Sequence, residues 1–322
     1  MSGMIDALIR DAKSIAVSGH VRPDGDCVGS CLGLWNYLQK TKPQVKVDVF
    51  LGTYASSFSF MNGEERIIHE PSDRTYDLFI SLDASAPDRL DKFLPMFERA
   101  GRRVVIDHHE TNPGFGEENL IQADASSTCE LLFTLLDEKM IDADCARCLY
   151  LGIVHDTGVF KYSSTTCRTM TIAGRLLEKM PKGEAQYIID ETFFARSFAQ
   201  NKAIGIALGS ARLELDGKLI IAAVTRAQRE ELGLSAQDLD GVIDQLRITR
   251  GTEAAAFLYA LEEDDYKLSL RSQHINVAKM AAAHGGGGHE HAAGCDMKGP
   301  WERSAEIIIR EIKELIDAWT ES

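Results

Sequence analysis

The chain has 322 residues, 44% of them hydrophobic and 26% charged, which is ordinary for a soluble globular protein of about two domains. Its formal net charge of -14 argues against a protein that neutralises many phosphates of long DNA. No segment approaches the roughly 18 apolar residues of a membrane span, and no secretory signal is visible, so a cytoplasmic protein without membrane attachment is expected. Seven scattered cysteines fit a reducing compartment, and Cys145 and Cys148 are expected to be ordinary thiols.

The N-terminal part of the chain alternates short apolar runs with helical spacing, which predicts βαβ units and a parallel sheet. A helix is expected at residues 4–12, and Pro23 and Gly25 predict a loop at residues 20–26 before a helix that includes residues 32–38. Strands are expected at residues 14–18, 45–50, 77–82 and 103–106. Further helices are expected at residues 128–139, 143–154, 166–179 and 184–194.

A change of pattern near residues 195–199 predicts a domain boundary. Beyond it, Asp216 and Gly217 separate two apolar runs, which is a strong hairpin signal, and a second hairpin is expected across residues 263–265. Helices are expected at residues 239–246, 277–284 and 305–319. The predicted fold class is α/β, with a parallel-sheet domain at residues 1–195 that carries helices on both faces. A smaller α+β domain is predicted at residues 196–322.

Acidic and histidine side chains follow the ends of three predicted strands, and one more acid ends an apolar helix. Because ligands of open parallel sheets bind outside the carboxyl ends of the strands, these side chains are expected at one edge of the sheet. The set comprises His20, Asp24, Asp26, Asp83, Asp107, His108, His109 and Asp156. Each residue alone has an ordinary interpretation, such as a helix N-cap for an aspartate. The joint pattern predicts a metal site.

Carboxylates and imidazoles together suit a divalent ion such as Mn²⁺, Mg²⁺ or Zn²⁺. The set is larger than one ion needs, and it fits a pair of ions about 4 Å apart that share a bridging carboxylate. Cys27, directly after Asp26, could add a thiolate ligand that would favour softer metals. His155, which precedes Asp156, could contact Asp156 without binding the metal itself.

These motifs, in order, resemble those of the DHH phosphoesterase family. The matching segments are His20-x-x-Pro-Asp24-x-Asp26, Asp83, Asp107-His108-His109 and Asp156-Thr157-Gly158. The four glycines Gly285 to Gly288, with His289 and Ala292-Ala293-Gly294, resemble the signature of the associated C-terminal domain. Within the family, the compact two-domain form without a preceding sensor domain is most similar to the bacterial NrnA-type oligoribonucleases and pAp phosphatases. Family-II inorganic pyrophosphatases share the first domain but not the glycine signature.

The resemblance implies roles by position, with an active site in the cleft between the two domains. His20, Asp24 and Asp83 would hold one ion, and Asp83 would bridge to a second. The second ion would be held by Asp26, Asp83, His108 and Asp156. His109 would face the scissile phosphate, and Asp107 would orient a histidine from behind.

Four consecutive glycines allow backbone N–H groups to approach an anion, and a phosphate at a helix N-terminus fits this arrangement. The alternative for Gly285 to Gly288 alone is a flexible linker. By the resemblance, Arg271 and His289 would grip the terminal phosphate of the substrate. His284 and His291 are expected to be structural or peripheral.

The function predicted from the resemblance is hydrolysis of very short oligoribonucleotides such as pApA, or removal of the 3'-phosphate from pAp, with two Mn²⁺ or Mg²⁺ ions. Long DNA and membranes are not expected partners. The nearest alternatives are linear or cyclic dinucleotides, pAp alone or polyphosphate as substrate. A rival of another class is a non-catalytic nucleotide-binding protein. The apolar face of the last helix could be core or the interface of a homodimer.

Overall fold

The computed structural model describes residues 3–320, so residues 1, 2, 321 and 322 of the expected domains lie outside the described residues. The chain divides into two compact units. The first unit ends at Ala195, and the second begins at Arg196. Within residues 3–320, no helix combines the length and the apolar character that crossing a membrane requires.

The sheet of the first unit is parallel throughout, as the alternating pattern predicts. Its strands lie in the order β2-β1-β3-β4-β5. They are β1 (Ser14–Ser18), β2 (Lys46–Phe50), β3 (Leu78–Leu82), β4 (Arg102–Asp107) and β5 (Glu118–Ile121). The chain winds outward from β1 to β2, then returns to β3 and continues toward the other edge. The carboxyl ends of β1 and β3 therefore flank the point where the winding reverses, which is where ligands bind in open sheets of this order.

Helices cover both faces of this sheet, which confirms the predicted class. One face carries a core with Leu32 and Leu149, and the other packs Phe50, Phe79 and Phe97 together. Burial of such side chains stabilises each by about 1.5–3 kcal/mol relative to exposure. The helices are α1 (Met4–Leu8), α2 (Gly25–Thr41), α3 (Leu94–Glu98), α4 (Thr128–Leu135), α5 (Ala143–Asp156), α6 (Cys167–Leu177) and α7 (Glu184–Ile189).

Some boundaries in the first unit differ from the sequence prediction. The helix expected at residues 4–12 already ends at Leu8. The expected loop at residues 20–26 ends at Asp24, because α2 already begins at Gly25. The helix expected at residues 128–139 ends at Leu135, and a separate 3-10 turn follows at Glu138–Met140. The edge strand β5 was not predicted; its residues are half-buried or exposed, so it lacks the continuous apolar run of β1 and β3.

The second unit contains a mixed sheet in the order β10-β11-β9-β8-β7-β6. Both predicted hairpins are present, and β7 and β8 are the parallel pair among antiparallel neighbours. The strands are β6 (Arg212–Glu214), β7 (Leu219–Val224), β8 (Ala254–Glu262), β9 (Asp265–Ser272), β10 (Gly287–His289) and β11 (Ala292–Lys298).

Helices also cover both faces of the second sheet. Met280 and Ile308 pack on one face, and Ala203, Leu246 and Phe257 pack on the other. The helices are α8 (Phe198–Ser210), α9 (Arg226–Leu232), α10 (Val242–Arg247), α11 (Val277–Ala283) and α12 (Trp301–Thr320). Helix α8 was not predicted, although its Ser197 and Gln200 form a reciprocal capping box.

Candidate active site

The structure brings the predicted metal ligands of the first unit together around Asp83. They come from the carboxyl ends of β1, β3 and β4, from the start of α2 and from the end of α5. Asp83 directly follows β3 with a positive φ of 54°, and its backbone N–H donates to the carbonyl of Ile106 on β4. This left-handed turn ends the strand and leaves Asp83 only 2% exposed at the sheet edge.

The two oxygens of Asp83 face two different imidazoles. Oδ2 lies 3.4 Å from Nε2 of His20, and Oδ1 lies 3.6 Å from Nε2 of His108. Thr128, the first residue of α4, donates its hydroxyl to Oδ1 at 3.2 Å. One carboxylate is thereby shared between two separate groups of possible ligands.

The first group contains His20 and Asp24. Nδ1 of His20 lies 2.8 Å from the carbonyl oxygen of Val21, which can only accept, so Nδ1 carries the proton and Nε2 is left for a ligand. Nε2 lies 3.6 Å from Oδ1 of Asp24. The same oxygen accepts the N–H groups of Asp26 and Cys27, so Asp24 is also the N-cap of α2.

The second group contains Asp26, His108 and Asp156. Nε2 of His108 lies 3.0 Å from Oδ2 of Asp156, and its Nδ1 lies 3.3 Å from the carbonyl oxygen of Ala125. Asp26 is fully buried, and its oxygens accept the N–H groups of Thr128 at 2.6 Å and Cys129 at 3.0 Å. One oxygen each of Asp26 and Asp156 and one nitrogen of His108 lie within 4.8 Å of one another.

The electrostatics of the cluster favour a bound cation. Burial, followed by the charge of Asp83, raises the pKa of Asp26 to about 7, and burial together with the charge of Asp26 raises that of Asp156 to about 6. Burial opposes charge on the imidazoles, but the neighbouring carboxylates outweigh it and raise the pKa of His20 to about 12 and that of His108 to about 10. Protons thus take the place of positive charge that divalent ions would supply, and the nitrogen and oxygen donors suit such ions.

Asp107 and His109 form a separate hydrogen-bonded pair. Nδ1 of His109 lies 2.8 Å from Oδ1 of buried Asp107, and Asn112 donates to Oδ2 of Asp107 at 2.7 Å. Burial opposes ionisation of Asp107, but these two hydrogen bonds lower its pKa, and the bond to Asp107 raises the pKa of His109. Asn112 was not predicted, because only the folded chain brings it to Asp107. Its amide also donates to the carbonyl of Ala84 and so fixes the carboxylate.

Part of the cluster opens into a pocket of about 140 Å³. The lining also contains Ser85 and Arg89, neither of which was predicted. Among the predicted residues of the cluster, Asp26, Asp107 and His108 do not line this pocket. The lining residues are His20, Asp24, Asp83, Ser85, Arg89, His109 and Asp156.

His155 and Cys27 have mainly packing roles at the site. The His155 ring lies between the rings of Phe58 and Phe193, with centroids 5.5 and 5.2 Å away, and burial lowers its pKa. A Cβ at Gly25 would lie 2.4 Å from Cγ of His155, so the glycine between Asp24 and Asp26 is needed for this contact. Sγ of Cys27 lies near His20 and Asp83, but burial raises the thiol pKa well above its usual value.

In the second unit, the strand register aligns Arg271 with His289. Arg271 on β9 pairs with Ala292 on β11, and Ala292 pairs with His289 on β10. Paired residues point to the same face, and Nε of Arg271 lies 3.4 Å from Oδ1 of Asp244 on α10. Nε2 of His284 lies 2.9 Å from Oε2 of Glu311, and Nδ1 of His291 lies 3.2 Å from the hydroxyl of Ser272.

The expected helix N-terminus at the glycine run is wrong. Gly285 instead follows the C-terminal end of α11, and Gly287 and Gly288 lie in the edge strand β10. A Cβ at Gly286 would lie 2.1 Å from the carbonyl oxygen of Gly294, so the absence of a side chain is what lets this segment approach β11. The linker alternative does not fit a segment that forms a strand.

Comparisons with known proteins match both units. Residues 14–153 match the N-terminal domain of the DHH family, and residues 216–321 match the DHHA1 domain. The bifunctional oligoribonuclease and PAP phosphatase NrnA of Thermus thermophilus is 29% identical over 93% of this chain and 89% of its own length. The protein of the same name from Bacillus subtilis is 26% identical over 92% of each chain.

A crystal structure of an exopolyphosphatase-related protein from Bacteroides fragilis is also similar. It has a TM-score of 0.80 and 25% sequence identity, with coverage of 96% of this chain and 94% of that chain. The two domain matches, in order along one chain, agree with the sequence motifs and with the histidine and carboxylate cluster. The chain belongs to the DHH phosphoesterase family, a class of metal-dependent hydrolases, and carries a DHHA1 domain after its DHH domain.

Proposed function

We propose that the chain hydrolyses very short oligoribonucleotides to mononucleotides and removes the 3'-phosphate from pAp. The names of its NrnA relatives from Thermus thermophilus and Bacillus subtilis support this substrate class. The observation that carries the proposal is the shared carboxylate of Asp83, whose two oxygens face His20 and His108. A bridging carboxylate of this kind is what a two-metal phosphoesterase needs.

His20, Asp24 and Asp83 would hold one divalent ion, and Asp26, Asp83, His108 and Asp156 would hold the other. We propose Mn²⁺ for both sites, because mixed imidazole and carboxylate donors suit it better than the all-oxygen preference of Mg²⁺. Cys27 is not a ligand in this proposal, since its thiol pKa is raised and a thiolate is disfavoured.

The ions would act as Lewis acids and lower the pKa of water bound to them. The protein supplies the remaining groups. Asp107 accepts the Nδ1 proton of His109, with Asn112 fixing the carboxylate, so Nε2 of His109 is left for the substrate. Since Asp107 raises the pKa of His109, its protonated form can donate to a phosphoryl oxygen and stabilise the charge that develops there.

Arg271, His289 and the backbone of Gly285 to Gly288 would bind the phosphate at the far end of the substrate. Arg271 and His289 lie two strand spacings apart, about 10 Å, on one face of the second sheet. Arg271 now pairs with Asp244, whose side chain is 51% exposed, so the ion pair is weak enough to be exchanged for a phosphate. The homodimer and the cytoplasmic location expected from the sequence stay predictions.

The proposal is tested by assaying the Mn²⁺-loaded protein against pApA, a longer RNA, pAp, a cyclic dinucleotide, pyrophosphate and polyphosphate. We expect turnover of pApA and pAp and slower cleavage of the longer RNA. Preference for a cyclic dinucleotide or polyphosphate would replace the proposed substrate class. Tight binding of pApA without hydrolysis of any substrate would favour a nucleotide-binding protein.

A further inference from the structure

We propose that Arg89 is a substrate-binding residue of the first unit, whose guanidinium contacts the phosphoryl group at the reaction centre. The inference rests on the proposed function, since it names a contact made by the substrate of that same site. Neither the motif set nor the ion-binding geometry requires this arginine. It is suggested by its place in the pocket and by the contacts that it does not make.

Arg89 lies in the pocket because its backbone is fixed beside His20. It belongs to a 3-10 segment, Pro87–Phe93, that follows Asp83. Its carbonyl oxygen accepts the N–H of Val21 at 2.7 Å, and its own N–H donates to Ala86 at 3.1 Å. The next residue, Leu90, is buried in the core on that face of the sheet. The backbone is therefore anchored, while the Arg89 side chain stays exposed and lines the pocket.

The guanidinium of Arg89 forms no ion pair with the described residues. Among residues 3–320, no carboxylate oxygen lies within 4.0 Å of its nitrogens, in contrast to Arg271, which pairs with Asp244. Its near polar neighbour is Nδ1 of His20 at 3.5 Å. That nitrogen already donates to the carbonyl of Val21, so the contact joins two donors and is not a hydrogen bond. The donors of Arg89 are available to an anion.

A phosphoryl group needs such a donor in this pocket. Asp24, Asp83 and Asp156 line it, and their negative charge opposes a phosphate unless cations balance them. The guanidinium fork matches two phosphate oxygens at once and keeps its charge at every working pH. Ser85, which lines the same pocket, offers a hydroxyl beside it. In phosphoryl transfer, charge spreads over the non-bridging oxygens, where a fixed donor lowers the barrier.

The test compares Arg89→Ala, Arg89→Lys and Lys92→Ala in Mn²⁺-supported hydrolysis of pApA. Lys92 is the matched control, because it lies on the same 3-10 segment but bonds Glu70 at 3.0 Å and does not line the pocket. We expect Arg89→Ala to lower kcat/KM by about 10²–10³-fold, as loss of one preorganised donor does. Arg89→Lys should recover part of this, since it keeps the charge and loses the fork, and Lys92→Ala should stay within twofold of the wild type.

Calorimetric titration with Mn²⁺ separates a substrate contact from an effect on the metal site. A direct contact predicts that the Mn²⁺ affinity of Arg89→Ala stays within threefold of the wild-type value. Activity within threefold of the wild type would overturn the proposal. So would a loss of Mn²⁺ affinity equal to the loss of activity, because Arg89 would then only position His20.

Binding of inorganic phosphate to the Mn²⁺-loaded protein separates this inference from the proposed function. If the wild type hydrolyses none of the substrates but binds phosphate at least tenfold more tightly than Arg89→Ala, the proposed function fails and the Arg89 contact stands. If the wild type hydrolyses pApA and both kinetics and phosphate binding are unchanged in Arg89→Ala, the function stands and the contact fails.

Discussion

Replacement of Asp83 by asparagine should abolish hydrolysis while leaving the metal-free fold intact. The carboxylate faces Nε2 of His20 at 3.4 Å and Nε2 of His108 at 3.6 Å, so one substitution weakens both proposed ion sites. Losing about 4 kcal/mol of the stabilisation that bound ions give the transition state corresponds to about a 10³-fold lower kcat. Both metal affinity and turnover should therefore fall together.

Asparagine is a better choice than alanine at Asp83 because it preserves the local structure. It tolerates the positive φ of 54°, which would cost alanine about 1 kcal/mol. Its amide oxygen can still accept the hydroxyl of Thr128, a bond worth about 1 kcal/mol. Burial raises the pKa of Asp83, so the ionised carboxylate destabilises the metal-free protein at neutral pH, and the neutral amide removes this cost. The melting temperature without metal should be equal or higher.

The assay combines pApA hydrolysis with thermal unfolding in Mn²⁺ and in EDTA. At about 100 times the Kd, Mn²⁺ should stabilise the wild type by about 2.7 kcal/mol, which raises its Tm by about 5–10 °C. Asp83→Asn should show no such rise, whereas the control Asp88→Asn, on the exposed part of the next segment, should behave like the wild type. A Tm rise of wild-type size, or turnover within tenfold, in Asp83→Asn would refute the bridging role.

Three other predictions concern substrate, protons and support of His109. Arg271→Ala should raise KM for pApA by about 10–100-fold with little change in kcat, because a charged hydrogen bond is worth about 1.5–3 kcal/mol. Lys267→Ala, on the same face of β9, is the control. An unchanged KM in Arg271→Ala would argue against phosphate binding by this residue. Mn²⁺ affinity should rise at least about tenfold from pH 6 to pH 8, since binding displaces protons from groups such as Asp26, whose pKa is about 7. Calorimetry in buffers of different ionisation enthalpy should detect the released protons. An Mn²⁺ affinity that does not change with pH would contradict this prediction. Asn112→Ala should lower kcat by about 10–100-fold and destabilise the protein by about 1–3 kcal/mol, because it leaves an oxygen of buried Asp107 unpaired; normal kcat with reduced Tm would make Asn112 purely structural.

The parallel sheet was predictable because its central strands are continuous apolar runs. Every residue of β1 and β3 is buried, and such runs mark strands covered on both faces. Strand β5 lacked this signal, since Glu118 and Asn119 are exposed at the sheet edge. Gly25 hid the start of α2, because a glycine after a proline and an aspartate is typical of a turn. In the structure, the absence of a side chain at Gly25 instead leaves room for the His155 ring.

The carboxylates and histidines of the site could be identified from the sequence because motif order and strand ends both point to them. The residues that support them could not be identified, because these residues are recognised by their contacts in the folded chain and form no sequence motif. Asn112 lies in a loop, Thr128 at a helix start and Arg89 in a 3-10 segment, and each becomes informative only when the chain folds. The sequence prediction placed the glycine run at a helix start, which is wrong. A run of glycines indicates that its backbone lies close to another group, but it does not identify that group, which in the structure is the backbone of β11.

The row formed by Arg271, Ala292 and His289 makes the proposed phosphate binding depend on strand register. Because side chains alternate between faces, a slip of one residue between β9 and β11 would exchange Arg271 for its buried neighbour Leu270. Gly286, where a side chain would collide with the carbonyl of Gly294, in the same way limits a slip between β10 and β11 at the open edge of the sheet. Insertion of one residue into the β10–β11 hairpin should therefore leave a folded second unit whose arginine and histidine point to opposite sides. The glycines would then fix the strand register of the sheet as well as bind an anion.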